Sequence, residues 1–142
     1  MTLTLAVARQ LLDAALASAA ELALQPLAIA ILDARGALVA FAAQDGASLM
    51  RGDVARAKAY GAVALGIGSR AIFTRAQAQP FFIDAVNTLA KGAIVPLPGG
   101  LLIRDRSGHL IGAIGISGDS ADNDERCAVA ALASCGLAYE TG

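Results

Sequence analysis

Residues 95–118 read VPLPGGLLIRDRSGHLIGAIGISG, and the architecture of the whole chain can be worked outward from them. Two apolar runs, Gly100 to Ile103 and Leu110 to Ile116, flank the polar segment Arg104-Asp105-Arg106-Ser107-Gly108-His109, which carries a turn glycine. That pattern predicts a β-hairpin. The second run, LIGAIGI, is apolar at almost every position, so it reads as a strand covered by helices on both faces. Its glycines leave room on those faces for a closely packed helix or a ligand.

The chain has 142 residues, which fits one domain spanning 1–142. Eleven basic and twelve acidic residues leave a net charge of −1, with no electrostatic term for holding nucleic acid. Hydrophobic residues make up 56% and charged residues only 16%, an apolar excess over ordinary soluble domains. A domain this small cannot bury all of it alone, and a homo-oligomer is the expected outcome. The opening segment lacks a basic start, and Arg9, Asp13 and Glu21 interrupt it at helical intervals. It therefore reads as an amphipathic helix and neither as an export signal nor as a membrane span. Cys127 and Cys135 lie eight apart on one expected helix, ~12 Å between Cα atoms and too far for a bridge. Two unbridged thiols fit a reducing, cytoplasmic setting.

Taken in order, the periodicity predicts a first helix from about Thr4 to Leu24, capped by Thr2 or Thr4, with Pro26 beyond it. Leu27 to Leu32 and Ala37 to Phe41 then bracket the turn Asp33-Ala34-Arg35-Gly36 as a first hairpin. A loop over Ala42 to Met50 leads to an alanine-rich helix, Val54 to Leu65, with Asp53 as its expected cap. Ser69 to Gln79 reads as irregular or a short helical turn, and Phe81 to Leu89 as a short helix started at Pro80. Ile94-Val95 is expected to add a short strand. The last helix is expected from about Asp122 to Tyr139. An antiparallel sheet with helices on both faces is the economical arrangement of these pieces.

Few residues can carry chemistry. The glycines of the second run are spaced GxxGxxG inside a strand, which does not make the strand-to-helix turn that a dinucleotide fingerprint requires. The acidic string Asp119 to Glu125 lacks the glycine and terminal glutamate of a calcium loop. Asp122 and Glu125 have the spacing of a capping box, although Asp124 or Glu125 can also turn toward a pocket. His109 is the only histidine, which excludes a two-histidine metal site, and the cysteine spacing excludes a zinc ribbon. Lys58, among alanines, is either a solvated side chain or a cation beside a pocket, paired with Asp45 or with a ligand carboxylate.

Asp33-Ala-Arg-Gly36, Gln44-Asp45-Gly46, Ala57-Lys58-Ala59, Pro98-Gly99-Gly100, the run Ile111 to Gly118 and Asp124-Glu125 occur in that order. Together they resemble the GlcG/HbpS-like family of haem-degrading or haem-binding domains, which includes the C-terminal part of PduO-type proteins. The resemblance covers nearly the whole chain. It implies a profilin-like three-layer α/β/α sandwich around a five-stranded antiparallel sheet, assembled into homo-oligomers, with haem, a corrinoid or a small organic acid as ligand. It also implies one pocket built from Asp45, Lys58, Gly99, Gly100, Ser117, Asp124 and Glu125. The chain departs from the family pattern at Ala43, where an arginine is common, and its lone histidine sits in a turn. A binding module would use Lys58 to neutralise a carboxylate, glycine backbone groups to orient it and Asp124 or Glu125 to contact hydroxyls. An enzyme would instead use Glu125, Asp124 or Asp45 as general base, with Lys58 as electrostatic stabiliser. A purely structural oligomer is the third arrangement.

Overall fold

The computed structural model describes residues 2–142. Its elements are α1 (Leu5–Glu21), β1 (Ala28–Asp33), β2 (Leu38–Ala43), α2 (Met50–Leu65), α3 (Ser69–Ala78), α4 (Pro80–Leu89), β3 (Gly100–Arg104), β4 (Leu110–Ser117), α5 (Ala121–Ser134) and β5 (Ala138–Glu140). The five strands form one antiparallel sheet in the order β2-β1-β4-β3-β5. Both expected hairpins are present, and β4 is buried along nearly its whole length.

The two faces of the sheet differ in side-chain size, and this difference sets the layers. Leu27, Ile29, Ile31, Leu101, Ile103, Ile114 and Ile116 pack with Ala8, Leu11 and Ala15 of α1 and Cys127, Ala128, Ala131 and Leu132 of α5. The opposite face presents Ala28, Ala30, Leu32, Leu102 and Ala113 to Ala55, Ala59 and Ala62 of α2. Large branched side chains hold α1 and α5 off the sheet, whereas small ones let α2 settle onto it. A Cβ on Gly115 would lie 1.9 Å from the Ala55 carbonyl oxygen, and one on Gly100 would lie 2.3 Å from the Lys58 carbonyl oxygen. Both glycines are therefore required by helix packing. Ile72 of α3, Ile83 of α4 and Ile94 close a smaller core beyond α2.

Several boundaries differ from the expectations. The fifth strand is Ala138–Glu140 and not Ile94-Val95: it pairs with β3, Leu102 opposite Glu140 and Ile103 opposite Tyr139. Ile94 instead fills the small core, and Pro96 and Pro98 follow it, which suits a loop. The last helix stops at Ser134, because Gly136 adopts a left-handed φ of +68° and turns the chain back toward the sheet. Ser69–Ala78 is a full helix, buried through Ser69 and Ile72. At α2 the helix begins four residues before Val54, so Asp53 lies in its first turn and caps nothing; the cap residue is Leu49, with no side-chain bond. Thr4, one of the two expected caps, does cap α1, and that helix ends at Glu21, ahead of Pro26.

Gly115→Ala is expected to destabilise the fold by about 3 kcal/mol or more, since neither backbone can yield without moving α2. Urea unfolding followed by circular dichroism measures this.

Candidate functional site

At one end of the sheet, where β3 begins and β4 finishes, a lysine crosses from one helical layer to the other. Lys58 projects from α2, and its Nζ donates to the Ile116 carbonyl at 2.9 Å and to Asp124 Oδ2 of α5 at 3.1 Å. Lys58 and Asp124 are only 2% and 1% exposed. Burial pushes the Lys58 ammonium down, and the Asp124 charge opposes that shift. Burial likewise pushes the Asp124 carboxyl up against the pull of Lys58. The second Asp124 oxygen accepts from the Asp119 N–H at 2.9 Å, so the carboxylate is satisfied on both sides.

This geometry explains Gly99. Its φ is +120°, and a Cβ there would stand 3.0 Å from Lys58 Nζ and 2.8 Å from the Ile116 carbonyl oxygen. The lysine stem therefore runs through the space that a side chain would fill. Gly100 follows with its N–H bonded to the buried Ser69 Oγ at 2.7 Å. Lys58, Gly99, Gly100 and Asp124 thus lie together in one buried cluster. Two details of the expectation change: Lys58 is not a solvated side chain, and its carboxylate is Asp124 and not Asp45.

Asp45 and Glu125 lie outside the cluster. Glu125 accepts both bonds of the Arg70 Nε, at 3.0 and 3.2 Å, and Asp122 bonds the same guanidinium, which ties α5 to α3. The capping-box reading of Asp122 and Glu125 is accordingly corrected: Ser120 caps α5, its side chain accepting from the Asn123 N–H. An arginine offering several fixed donors holds two carboxylates more strongly than one backbone N–H holds either. Asp119 accepts from the Gln25 and Ser120 N–H groups and the Asn123 side chain, and these bonds hold its carboxyl below the usual range.

Asp45 is exposed at the mouth of a cleft of about 490 Å³ lined by Leu16, Leu24, Pro26, Ala42, Ala43 and Gln44. The cleft is a shallow depression, widely open to solvent. Ser117, Ala28 and Ala43 are successive partners across β4, β1 and β2, so this cleft and Ser117 share one end of the sheet, roughly 10 Å apart at two strand spacings.

Arg51 is the residue that sequence reasoning missed. It sits in the first turn of α2, half-buried, and its Nη1 donates to the fully buried Ser117 Oγ at 3.4 Å. Among the described residues no carboxylate pairs with it, unlike Arg35, Arg70 and Arg104. Nothing in the sequence around Arg51 marks it, because its place beside Ser117 follows from α2 beginning at Met50.

His109 lies in the turn at the opposite end of the sheet, its side chain 79% exposed and its Nδ1 3.6 Å from Asp105. The cleft lining holds no histidine or cysteine. These residues do not fit a histidine-ligated haem at the cleft. Among the described residues no group of three or more histidine, cysteine or acidic side chains is placed to hold a metal ion, and no helix is long and apolar enough to cross a membrane.

A five-stranded antiparallel sheet between two helical layers, cross-braced at one end by a buried ion pair, defines a profilin-like α/β/α sandwich. Residues 3–133 match the sequence model of the family described as haem degrading protein HbpS-like, and the chain belongs to that family. It is similar to solved structures throughout its length. A PduOC:heme complex is 29% identical, with a TM-score of 0.86, covering 97% of this chain and 98% of that one. The protein ORFY of Klebsiella pneumoniae is 26% identical, with a TM-score of 0.86 and coverage of 96% and 92%. A variant of HbpS from Streptomyces reticuli is also 26% identical, with a TM-score of 0.79 and coverage of 94% and 87%. No curated protein sequence matches the chain significantly.

Lys58→Met is expected to cost about 3–5 kcal/mol, because it strands the Asp124 charge in the interior. Adding Asp124→Leu should recover much of that loss, which a double-mutant cycle in urea reads directly. Burial pushes the Cys127 thiol up to about 12, and Cys135 is only partly covered. A thiol reagent at pH 8 should therefore titrate one cysteine in the native protein and two in denaturant.

Proposed function

We propose that this chain is a homo-oligomeric binding module for a small, largely apolar organic ligand that carries a carboxylate. The observation that carries this reading is Arg51. A half-buried guanidinium with no carboxylate partner among the described residues, bonded to a buried hydroxyl at the end of the sheet, is equipped to receive an anionic group. The ligand carboxylate would bond Arg51 and Ser117. Its apolar body would lie along the end of the sheet toward the cleft, where Asp45 is free to accept from a hydroxyl or an ammonium group. The Lys58, Gly99, Gly100 and Asp124 cluster supports the site from beneath, since its charges already satisfy one another. The haem complex of PduOC, at 29% identity, makes a porphyrin with its two propionates a reasonable ligand to test. In this chain such a ring would depend on propionate and apolar contacts and not on an axial histidine. The apolar excess of the composition supports self-association.

Binding of hemin, metal-free protoporphyrin IX and benzoate, followed by absorbance or calorimetry, tests the proposal. At least one of these carboxylates should bind saturably, and Arg51→Ala should weaken it about tenfold or more with the fold intact. If none binds, or if Arg51→Ala binds as well as the wild type, the proposal fails.

A further inference from the structure

The two edges of the sheet are finished differently. The β5 edge is three residues long, and Arg104 and Glu140 form an ion pair at 3.3 Å beside it. Short, charged edges resist pairing with another strand. The β2 edge has no such protection. From Ala37 to Gln44 the chain reads ALVAFAAQ, without a charge or a proline, and no strand lies beyond β2.

Backbone direction along this edge follows from one bond. The Gln44 N–H donates to the Leu27 carbonyl, so Gln44 and Leu27 occupy a hydrogen-bonded position. Alternation then turns Ala42 and Ala40 toward β1, while Phe41 and Ala43 direct their N–H and C=O groups outward. The register shift after Ile31 confines the flat part of the edge to residues from Ala40 onward. Beside it Leu38, Phe41, Leu49 and Met50 are 42%, 43%, 92% and 59% exposed, and the Phe41 ring lies against Gly52 at the start of α2. At ordinary side-chain areas these four expose roughly 450 Å² per protomer, more than half of the ~800 Å² that each partner of a standard stable interface buries.

We infer that a second copy of this chain covers this edge, its β2 pairing antiparallel with the first about a two-fold axis at Ala42. Phe41 of each copy then stands opposite Ala43 of the other, and the outward N–H and C=O groups of both residues are all satisfied. Such a contact is isologous and self-complementary. It joins two five-stranded sheets into one of ten and brings the apolar side chains of the two copies together. Because Ala42, Ala43 and Gln44 also line the cleft, the second strand would border the proposed ligand site.

The inference rests on the homo-oligomeric part of the proposed function, and one set of measurements separates the two. Sedimentation velocity should give the wild type a mass of two protomers or a multiple of two, and Phe41→Lys should halve it or reduce it to that of one protomer. Leu89→Lys, at an 84% exposed position on α4, should leave the mass unchanged. Hydrogen exchange should show the Phe41 and Ala43 amides protected in the assembled wild type and fast on dilution to monomer, a readout that needs no variant to fold. A monomeric wild type overturns both the self-association and this interface. An oligomeric wild type with fast Phe41 and Ala43 amides, or with a Phe41→Lys variant of unchanged mass and native circular dichroism, overturns the interface alone.

Discussion

The structure depends on how closely α2 approaches the sheet. At Gly100 and Gly115 the helix backbone occupies the space where strand side chains would stand, and small residues on both surfaces extend that contact over Ala28, Ala30, Ala55, Ala59 and Ala113. Tight packing of this kind gains dispersion contacts and leaves no void, but it tolerates no added methyl group. The opposite face, filled by isoleucine and leucine, has the ordinary sheet-to-helix spacing. The domain is therefore asymmetric about its sheet, with a close layer and a distant one.

The buried ion pair follows from that asymmetry. Only because α2 lies so low can Lys58 pass Gly99 and reach Asp124 in the layer beyond. Two charges in an interior of low dielectric cost several kcal/mol each to desolvate, and their attraction offsets this only with good geometry and additional hydrogen bonds. Here the Ile116 carbonyl and the Asp119 N–H supply those bonds. The pair fixes α2, β3, β4 and α5 in one register at the end of the sheet. Once Lys58 is committed in this way, its charge is matched by Asp124 inside the domain.

Much of the architecture was legible because its signals are local. The hairpins announce themselves through apolar runs around polar, glycine-bearing turns, and Leu110 to Ile116 could be read as doubly buried because no position in it is polar. The fifth strand was not legible. Ala138–Glu140 is three residues long, and its pairing with β3 depends on a turn at Gly136 that the helical pattern before it conceals. Helix α3 was obscured for a related reason: Ser69–Ala78 has few buried apolar residues, and its packing depends on Ile83 and Ile94 from elsewhere in the chain.

The candidate site divides along the same line. The sequence by itself determined which residues could carry chemistry, a lysine in a stretch of alanines, paired glycines after a proline and adjacent acids before a helix, beside the structural uses that each also has. It also excluded a site built from two histidine ligands, since His109 is the only histidine. Only the tertiary structure decided which of the unusual residues meet. Lys58 and Asp124 are 66 positions apart, and a charge chooses its partner by distance in space and by the desolvation that both must share. The same holds for Arg51: its sequence neighbours are unremarkable, and only the assembly of the sheet from distant segments brings it to Ser117, 66 positions away.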